Sequence, residues 1–362
     1  ADADSFRMVG DWSEQISTDQ TPLSVVGMGY ACAMDIQSDV DSVAPSSISF
    51  PNGCVMDERK RLALPCSGQN RFLVEDDNGK FLDTLSCPVP QFSGQIEMSA
   101  QKRNPDFLMV GNPYMSHIDF NAFYETNKDL IYPQYKAFRD GTFRTYMLSD
   151  GNSVAEDGAG RYVPPMSSFV VMLRPSSSHQ ALRFVSDRVC RTPVPFSKDT
   201  IRDGWLKVSL SHKGLQVSSA WLGFADGATD AYSPEEDALN LFSPMNCSEI
   251  YTQANNRPLS VNMLDKNRGG ELRIPVNIKA ELSEPMEVTI TGAMEMKGVK
   301  LSLYKADEKQ YVPIEEDEFS FRIDSKKGKN MENRYFLCFD VEENKIASQD
   351  ATEDDDRIHI VC

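Results

Sequence analysis

Three aspartates in one polar stretch, Asp226, Asp230 and Asp237 in "ADGATDAYSPEEDA", are the metal-ligand candidates of this sequence. Calcium, a hard cation, needs several oxygens converging on one point. The spacing is not that of an EF-hand loop, so a calcium site would depend on the loop folding its carboxylates together. The same stretch also reads as a turn. Ser233 would cap and Pro234 open a helix-like "PEEDALNLF", with the aspartates satisfying loop amides. A second constellation is aromatic: Tyr132, Tyr135, Phe138, Phe143 and Tyr146 crowd "YPQYKAFRDGTFRTYM". Exposed, these rings would make a sugar platform; otherwise they pack across the two strands of a hairpin.

Other chemistry leaves little trace. Neither G-x-S-x-G nor H-E-x-x-H occurs. The histidines, His117, His179, His212 and His359, stand in no recognisable catalytic setting. No catalytic residue and no cofactor is assigned. Paired carboxylates that cleave glycosides meet only in space and leave no short signature. A secreted hydrolase with a carboxylate site therefore stays open as an alternative.

Bulk properties narrow the partners. Asp and Glu number 54 against 37 Lys and Arg, a net charge of -17. That argues against nucleic acid, whose phosphates demand a basic surface, and against docking on anionic lipid. The clusters Glu315-Glu316-Asp317-Glu318 and Glu353-Asp354-Asp355-Asp356 read as solvated turns and a linker. No stretch approaches the roughly 20 apolar residues of a membrane-crossing helix, so direct membrane insertion is not expected. The first residue is Ala rather than Met, which suggests a mature product whose export signal has been removed. Of the eight cysteines, Cys54 and Cys66 are the first expected pair, and Cys338 reads as a small buried apolar residue.

Period-2 alternation dominates the elements that must position these groups. Leu206, Val208 and Leu210 share a face, as do Leu272, Ile274, Val276 and Ile278. So do Val299, Leu301 and Leu303; Phe319, Phe321 and Ile323; and Tyr335, Leu337, Phe339 and Val341. Pro275 cannot donate a ladder hydrogen bond, so its strand should lie at an edge or carry a bulge. "RFLVEDDNGKFLDTL" predicts a hairpin around Asp77-Asn78-Gly79. Short strands with almost no helical period predict an all-β chain: two tandem antiparallel β-sandwich, jelly-roll-like domains. The domains are expected at 1–195 and 196–345. An acidic linker at 346–362 ends in "RIHIVC", an added strand or the start of a further domain.

One stretch departs from this pattern. In "FLMVGNPYMSHIDF" (107–120), Gly111 permits an unusual backbone angle and Asn112-Pro113 favours a turn. Ser116 sits three before Asp119, close to a capping box, and Phe120, Phe123 and Tyr124 fall on one helical face. A strand, a corner and about two turns of helix should follow one another. Asn112 and His117 then have an architectural role, or else serve as site residues.

These residues also carry a resemblance. "FLMVGNPYMSHIDF", "QYKAFRDGTFRTYM" (134–147) and "GRYVPPMSSFVVML" (160–173) resemble the recurring GNPY corner, aromatic hairpin and PPM strand of secreted multidomain surface proteins of Bacteroidota, many of them type IX secretion substrates. "VVGMGYACAMD", "SSISFPNG" and "ALRFVSDRVCR" resemble neighbouring strands of that family, "WLKVSLSHKGLQVSSAWLGFADGATDAYSPEEDALNLF" (205–242) the segment that follows, and "EIYTQANNRPLSVNML" and "ENRYFLCF" later strands. Met115, Ser167-Ser168 and Ser233 depart from its pattern. The resemblance covers about residues 26–341. It implies a non-catalytic, extracellular or cell-surface adhesion or binding segment of a larger exported protein, whose partner is an extracellular protein or glycan. A carbohydrate-binding module is the nearest alternative.

Overall fold

The computed structural model describes residues 106–341, with gaps at 113, 115, 149–152, 157, 166, 176–180, 185–188, 191–203, 244–246, 266–269 and 297–298, together with strands at 6–9, 61–65, 71–75, 81–86 and 93–98. The strands expected around Gly27 and Gly29 and in "SSISFPNG", the Cys54–Cys66 pair, the Asp77-Asn78-Gly79 turn and the segment 346–362 lie outside the described residues. The fold is all-β, with one α-helix among the described residues. The chain divides into two compact units, Ala1–Thr200 with Leu241–Ser243 and Ile201–Asn240 with Pro244–Cys362.

The first unit contains β1 (Phe6–Val9), β2 (Arg61–Pro65), β3 (Arg71–Glu75), β4 (Phe81–Ser86), β5 (Ser93–Met98), β6 (Asp106–Gly111), β7 (His117–Asp119), α1 (Phe120–Asn127), β8 (Ile131–Arg139), β9 (Thr142–Met147), β10 (Val154–Ala155), β11 (Tyr162–Val163), β12 (Ser168–Leu173), β13 (Ala181–Phe184) and β14 (Val189–Cys190). Its largest sheet runs β1-β5-β6-β12-β8-β9-β10; smaller sheets run β11-β7-β14 and β13-β2-β3-β4. The strands β3 and β4 pair as the expected hairpin. Alternation sends Leu108, Val110, Phe169, Val171, Tyr135 and Tyr146 to one core, shared with Phe120 and Phe123 of α1 and Phe184 of β13.

The helix starts later than a cap at Ser116 would place it. Residues 117–119 pair as strand β7 with β11 and β14, which buries Ile118. Asp119 is the N-cap, and its carboxylate accepts a hydrogen bond from the Asn121 N–H at 3.1 Å. At the other end Asn127 donates from Nδ2 to the carbonyls of Phe123 and Arg183, and its Oδ1 accepts from the Arg183 N–H at 2.7 Å. This one side chain ties the last turn of α1 to β13. Between these ends Phe120 is fully buried, its ring centroid 4.7 Å from that of Tyr135 and 5.8 Å from that of Tyr146.

The second unit contains β15 (Trp205–His212), β16 (Leu215–Ala225), β17 (Ala238–Leu239), β18 (Glu249–Ala254), β19 (Arg257–Asp265), β20 (Gly270–Lys279), β21 (Pro285–Thr291), β22 (Val299–Lys305), β23 (Gln310–Pro313), β24 (Glu318–Asp324) and β25 (Met331–Val341). They form one sheet, β23-β22-β25-β20-β18-β19-β16-β15-β21-β24, with β17 beside β19. The sheet curls until distant parts of that path share a core. Phe224 of β16 lies 5.5 Å from Phe339 of β25, and Phe321 of the terminal β24 lies 5.1 Å from Tyr335 of β25. Leu206, Val208, Ile274, Val276, Ile290, Leu303 and Leu337 fill the space between.

Two corrections follow for this unit. The sheet is not purely antiparallel, because β16 and β19 run parallel. The segment after Pro234 is not helical: residues 234–236 form a turn, and Ala238–Leu239 is a strand. Pro275 sits in an internal strand, between β18 and β25, and the register shifts between Val276 and Ile278. The ladder with β18 stops at Val276, so Pro275 has a strand partner, Phe336, on the β25 side alone.

Hairpins are closed by two-residue loops with positive φ at both positions: Asp140-Gly141, Lys213-Gly214 and Asn255-Asn256. Gly223 has another reason to be glycine. A Cβ there would lie 2.8 Å from the Trp205 indole and 2.8 Å from Met263 Sδ. Gly223→Ala is therefore expected to cost about 2 kcal/mol through overpacking, read as a lower urea midpoint. An unchanged midpoint would show that the indole can step aside.

Candidate functional site

At the corner the chain uses Asn112 as an internal brace. Its Nδ2 donates to the carbonyls of Ser116 (2.8 Å), Val163 (3.2 Å) and Pro164 (3.0 Å), while its Oδ1 accepts from the Tyr114 N–H at 2.9 Å. The residue is buried, and its own N–H donates to the Ser167 carbonyl. Every polar atom of this amide is engaged by backbone, so Asn112 holds the corner closed. His117 lies partly buried in β7.

The hairpin β8–β9 separates its aromatics by face. Tyr135 and Tyr146 are cross-strand partners with centroids 5.5 Å apart, both in the core. Their hydroxyls donate inward, Tyr135 to the Gly160 carbonyl at 2.6 Å and Tyr146 to Asn121 Oδ1 at 2.8 Å. Neither can present a ring to an external ligand. Burial pushes both phenols above their ordinary range. Phe138 and Phe143 pair on the other face near the hairpin tip, with Phe138 exposed and Phe143 half-buried. Tyr132 is half-buried beneath the Arg174 guanidinium, 4.5 Å from its ring centroid. The five rings do not form one platform, because period-2 alternation divides them.

The same hairpin carries a group that sequence patterns do not reveal. Lys136 is buried in a cross-strand row with Met109, Val170 and Thr145. Its Nζ donates to Thr145 Oγ1 at 2.7 Å. Burial lowers its pKa to about 7, against which the nearby Glu156 carboxylate raises it. Glu156 is itself buried and accepts from the Thr145 N–H. Removing one of two interacting buried charges strands the other. The effects of Lys136→Met and Glu156→Gln on stability are expected to be non-additive by about 1 kcal/mol in a double-mutant cycle. Additive losses in that double-mutant cycle would show that the two groups are uncoupled.

The acidic loop does not gather its carboxylates. Asp226 and Asp230 are exposed, whereas Asp237 is 1% exposed. Asp237 Oδ2 accepts from the Ser233 N–H and Oδ1 from the Met263 N–H, each at 2.8 Å. Among the described residues no group of three or more His, Cys, Asp or Glu side chains is placed to hold a metal ion. The expected calcium ligands are thus separated: one fastens the loop to β19 and two face solvent. The cap relation is also reversed, since the aspartate receives the Ser233 amide.

A surface constellation missed in the sequence lies on the outer face of β23, β22, β25 and β20. Tyr311 pairs with Tyr304, Tyr304 with Phe336, and Phe336 with Pro275. Ring centroids are 4.6 Å apart for Tyr311–Tyr304 and 6.1 Å for Tyr304–Phe336. Tyr311 is 46% exposed; Tyr304 and Phe336 are half-buried. The Arg273 guanidinium lies 5.2 Å from the Tyr304 centroid and 5.4 Å from that of Tyr311. It bonds to the Tyr311 hydroxyl and, from Nε, to Glu271 Oε1 at 2.8 Å. These residues alternate with the core positions Leu272, Ile274, Leu303 and Leu337, and that phase was the available signal. What the sequence lacks is the strand order that sets the rings side by side.

Comparison with protein-family models, with curated proteins and with solved structures gives no match for this chain.

Proposed function

We propose that this chain is a non-catalytic binding segment of an exported protein, displayed on or released from the cell surface. The observation that carries the reading is the Arg273–Tyr304–Tyr311–Phe336 row. It is an open, pre-positioned recognition surface on a rigid sheet, where binding sites are held with little ordering cost. The resemblance of residues 26–341 to secreted surface proteins supports the extracellular half of the reading. An acidic surface suits the cell exterior without recruiting nucleic acid or anionic lipid.

The test is protease shaving of intact native cells, with the chain followed by immunoblot in cells and medium. Loss from the cell surface, or recovery from the medium, is expected. Full protection in intact cells with none in the medium would overturn the reading.

A further inference from the structure

We propose that the outer face of β23, β22, β25 and β20 binds an uncharged glycan, with the exposed Tyr311 and its neighbours Tyr304 and Phe336 giving an apolar surface for the C–H groups of its sugars and Arg273 and Glu271 bonding its hydroxyls. The proposal rests on the reading of the chain as a binding segment and names its ligand class.

The first argument is the row itself. Adjacent strands lie about 4.8 Å apart, so cross-strand partners repeat an aromatic surface at sheet spacing. The centroid steps of 4.6 and 6.1 Å place three rings in succession along the direction across the strands, tilted 40° and 47° from one another, so they form a stepped rather than a flat surface. An extended chain of sugars laid across the strands would meet one ring after another. Stacking tolerates variation in the ligand because it reads a face rather than a pattern of donors.

The second argument is the polar rim. A sugar hydroxyl both donates and accepts, so its site needs a donor and an acceptor close together. Arg273 and Glu271 supply that pair, 2.8 Å apart, with exposures of 46% and 55%. Two of the five guanidinium N–H donors are used, one on Glu271 and one on the Tyr311 hydroxyl. Those bonds fix the fork over the tyrosines and leave donors for a ligand. Glu271 keeps acceptor capacity in its second oxygen.

The third argument is charge. A net charge of -17 repels polyanions at long range. Within the site Glu271 offsets Arg273, so the surface offers no net cationic focus for sulfated or uronic chains. An uncharged glycan meets neither obstacle. A protein partner would instead be expected to anchor in a desolvated pocket near the centre of its interface.

The experiment uses the full chain on an array of uncharged glucose-, mannose-, galactose- and xylose-based oligosaccharides, with heparin as the polyanionic control and a panel of extracellular-matrix proteins in parallel. Binding of at least one uncharged oligosaccharide, with no heparin signal, is expected. Tyr311→Ala and Arg273→Gln, both at exposed positions, are expected to weaken it at least tenfold with unchanged melting temperature. Tyr304→Phe, which keeps the ring, should retain binding. Glycan binding indifferent to Tyr311→Ala and Arg273→Gln would overturn the site. No glycan signal alongside binding of a matrix protein that Tyr311→Ala abolishes would overturn the ligand class while leaving the binding-segment reading intact. No binding on either panel would overturn this proposal, whereas protection from protease in intact cells is the separate failure of the reading beneath it.

Discussion

Replacing Asn112 by aspartate is expected to lower stability by about 4 kcal/mol at neutral pH, and replacing it by alanine by about 3 kcal/mol. The alanine variant leaves the buried carbonyls of Ser116 and Val163 and the partly buried one of Pro164 without the Nδ2 donor, and the Tyr114 N–H without the Oδ1 acceptor. Aspartate restores the acceptor but turns a second oxygen toward three carbonyls, so its charge is both buried and opposed. The two variants therefore separate on acidification. Once protonated, the introduced carboxyl can donate once, so Asn112→Asp should regain stability below its raised pKa, while Asn112→Ala should not. Urea unfolding followed by far-UV circular dichroism at pH 4 and pH 7 reads both effects. Equal stability of aspartate and asparagine at pH 7 would mean that the corner does not depend on this amide.

The corner shows how far local sequence reaches. Asn112 and the pair Phe120 and Phe123 announced a turn and a short helix, since turn chemistry and helical spacing are local; Gly111 instead ends strand β6 in register with Ser168, without the left-handed angle its type permits. The helix start was misplaced because Ile118 has a stronger claim elsewhere: its burial in β7 holds residues 117–119 extended, and the cap moves to Asp119. Core positions such as Leu272, Ile274 and Leu337 were legible for the same local reason, a period of two.

Relations between distant strands were not legible. Phe336 is remote in sequence from Tyr304 and Tyr311, and only the order β23-β22-β25 makes the three neighbours. The parallel pairing of β16 with β19 and the approach of β24 to β25 likewise depend on how the sheet curls, which no single strand encodes. Within the β8–β9 hairpin the aromatics could be counted, but which face is buried is decided by β12 and α1. Hence Tyr135 and Tyr146 turned inward. Asp226, Asp230 and Asp237 looked equivalent in sequence because nothing local marks which of them meets the Met263 amide.

Asp237 carries the second large effect, a dependence of stability on pH. Burial raises its carboxyl from 3.8 to about 7, outweighing the two backbone amides that favour the charged form. Between those values the folded chain holds a proton that the unfolded chain has released, so stability must fall as pH rises from about 4 to 7. Below that window both states are protonated and no penalty is present. Above it the full penalty stands, about 4 kcal/mol for a shift of this size. Lys136 acts in the adjoining window with the opposite sign. Its pKa falls from 10.5 to about 7 on folding, so the folded chain binds fewer protons there and stability rises with pH above 7. The combined contribution of these two groups to stability is lowest near neutral pH. Subtracting Asp237→Asn isolates one part of it, because the amide keeps an acceptor and cannot titrate. The wild type should lose about 4 kcal/mol relative to this variant between pH 4 and pH 8, measured by urea midpoints at constant ionic strength. A difference that stays flat across that range would mean that Asp237 is already ionised in its buried place at pH 4.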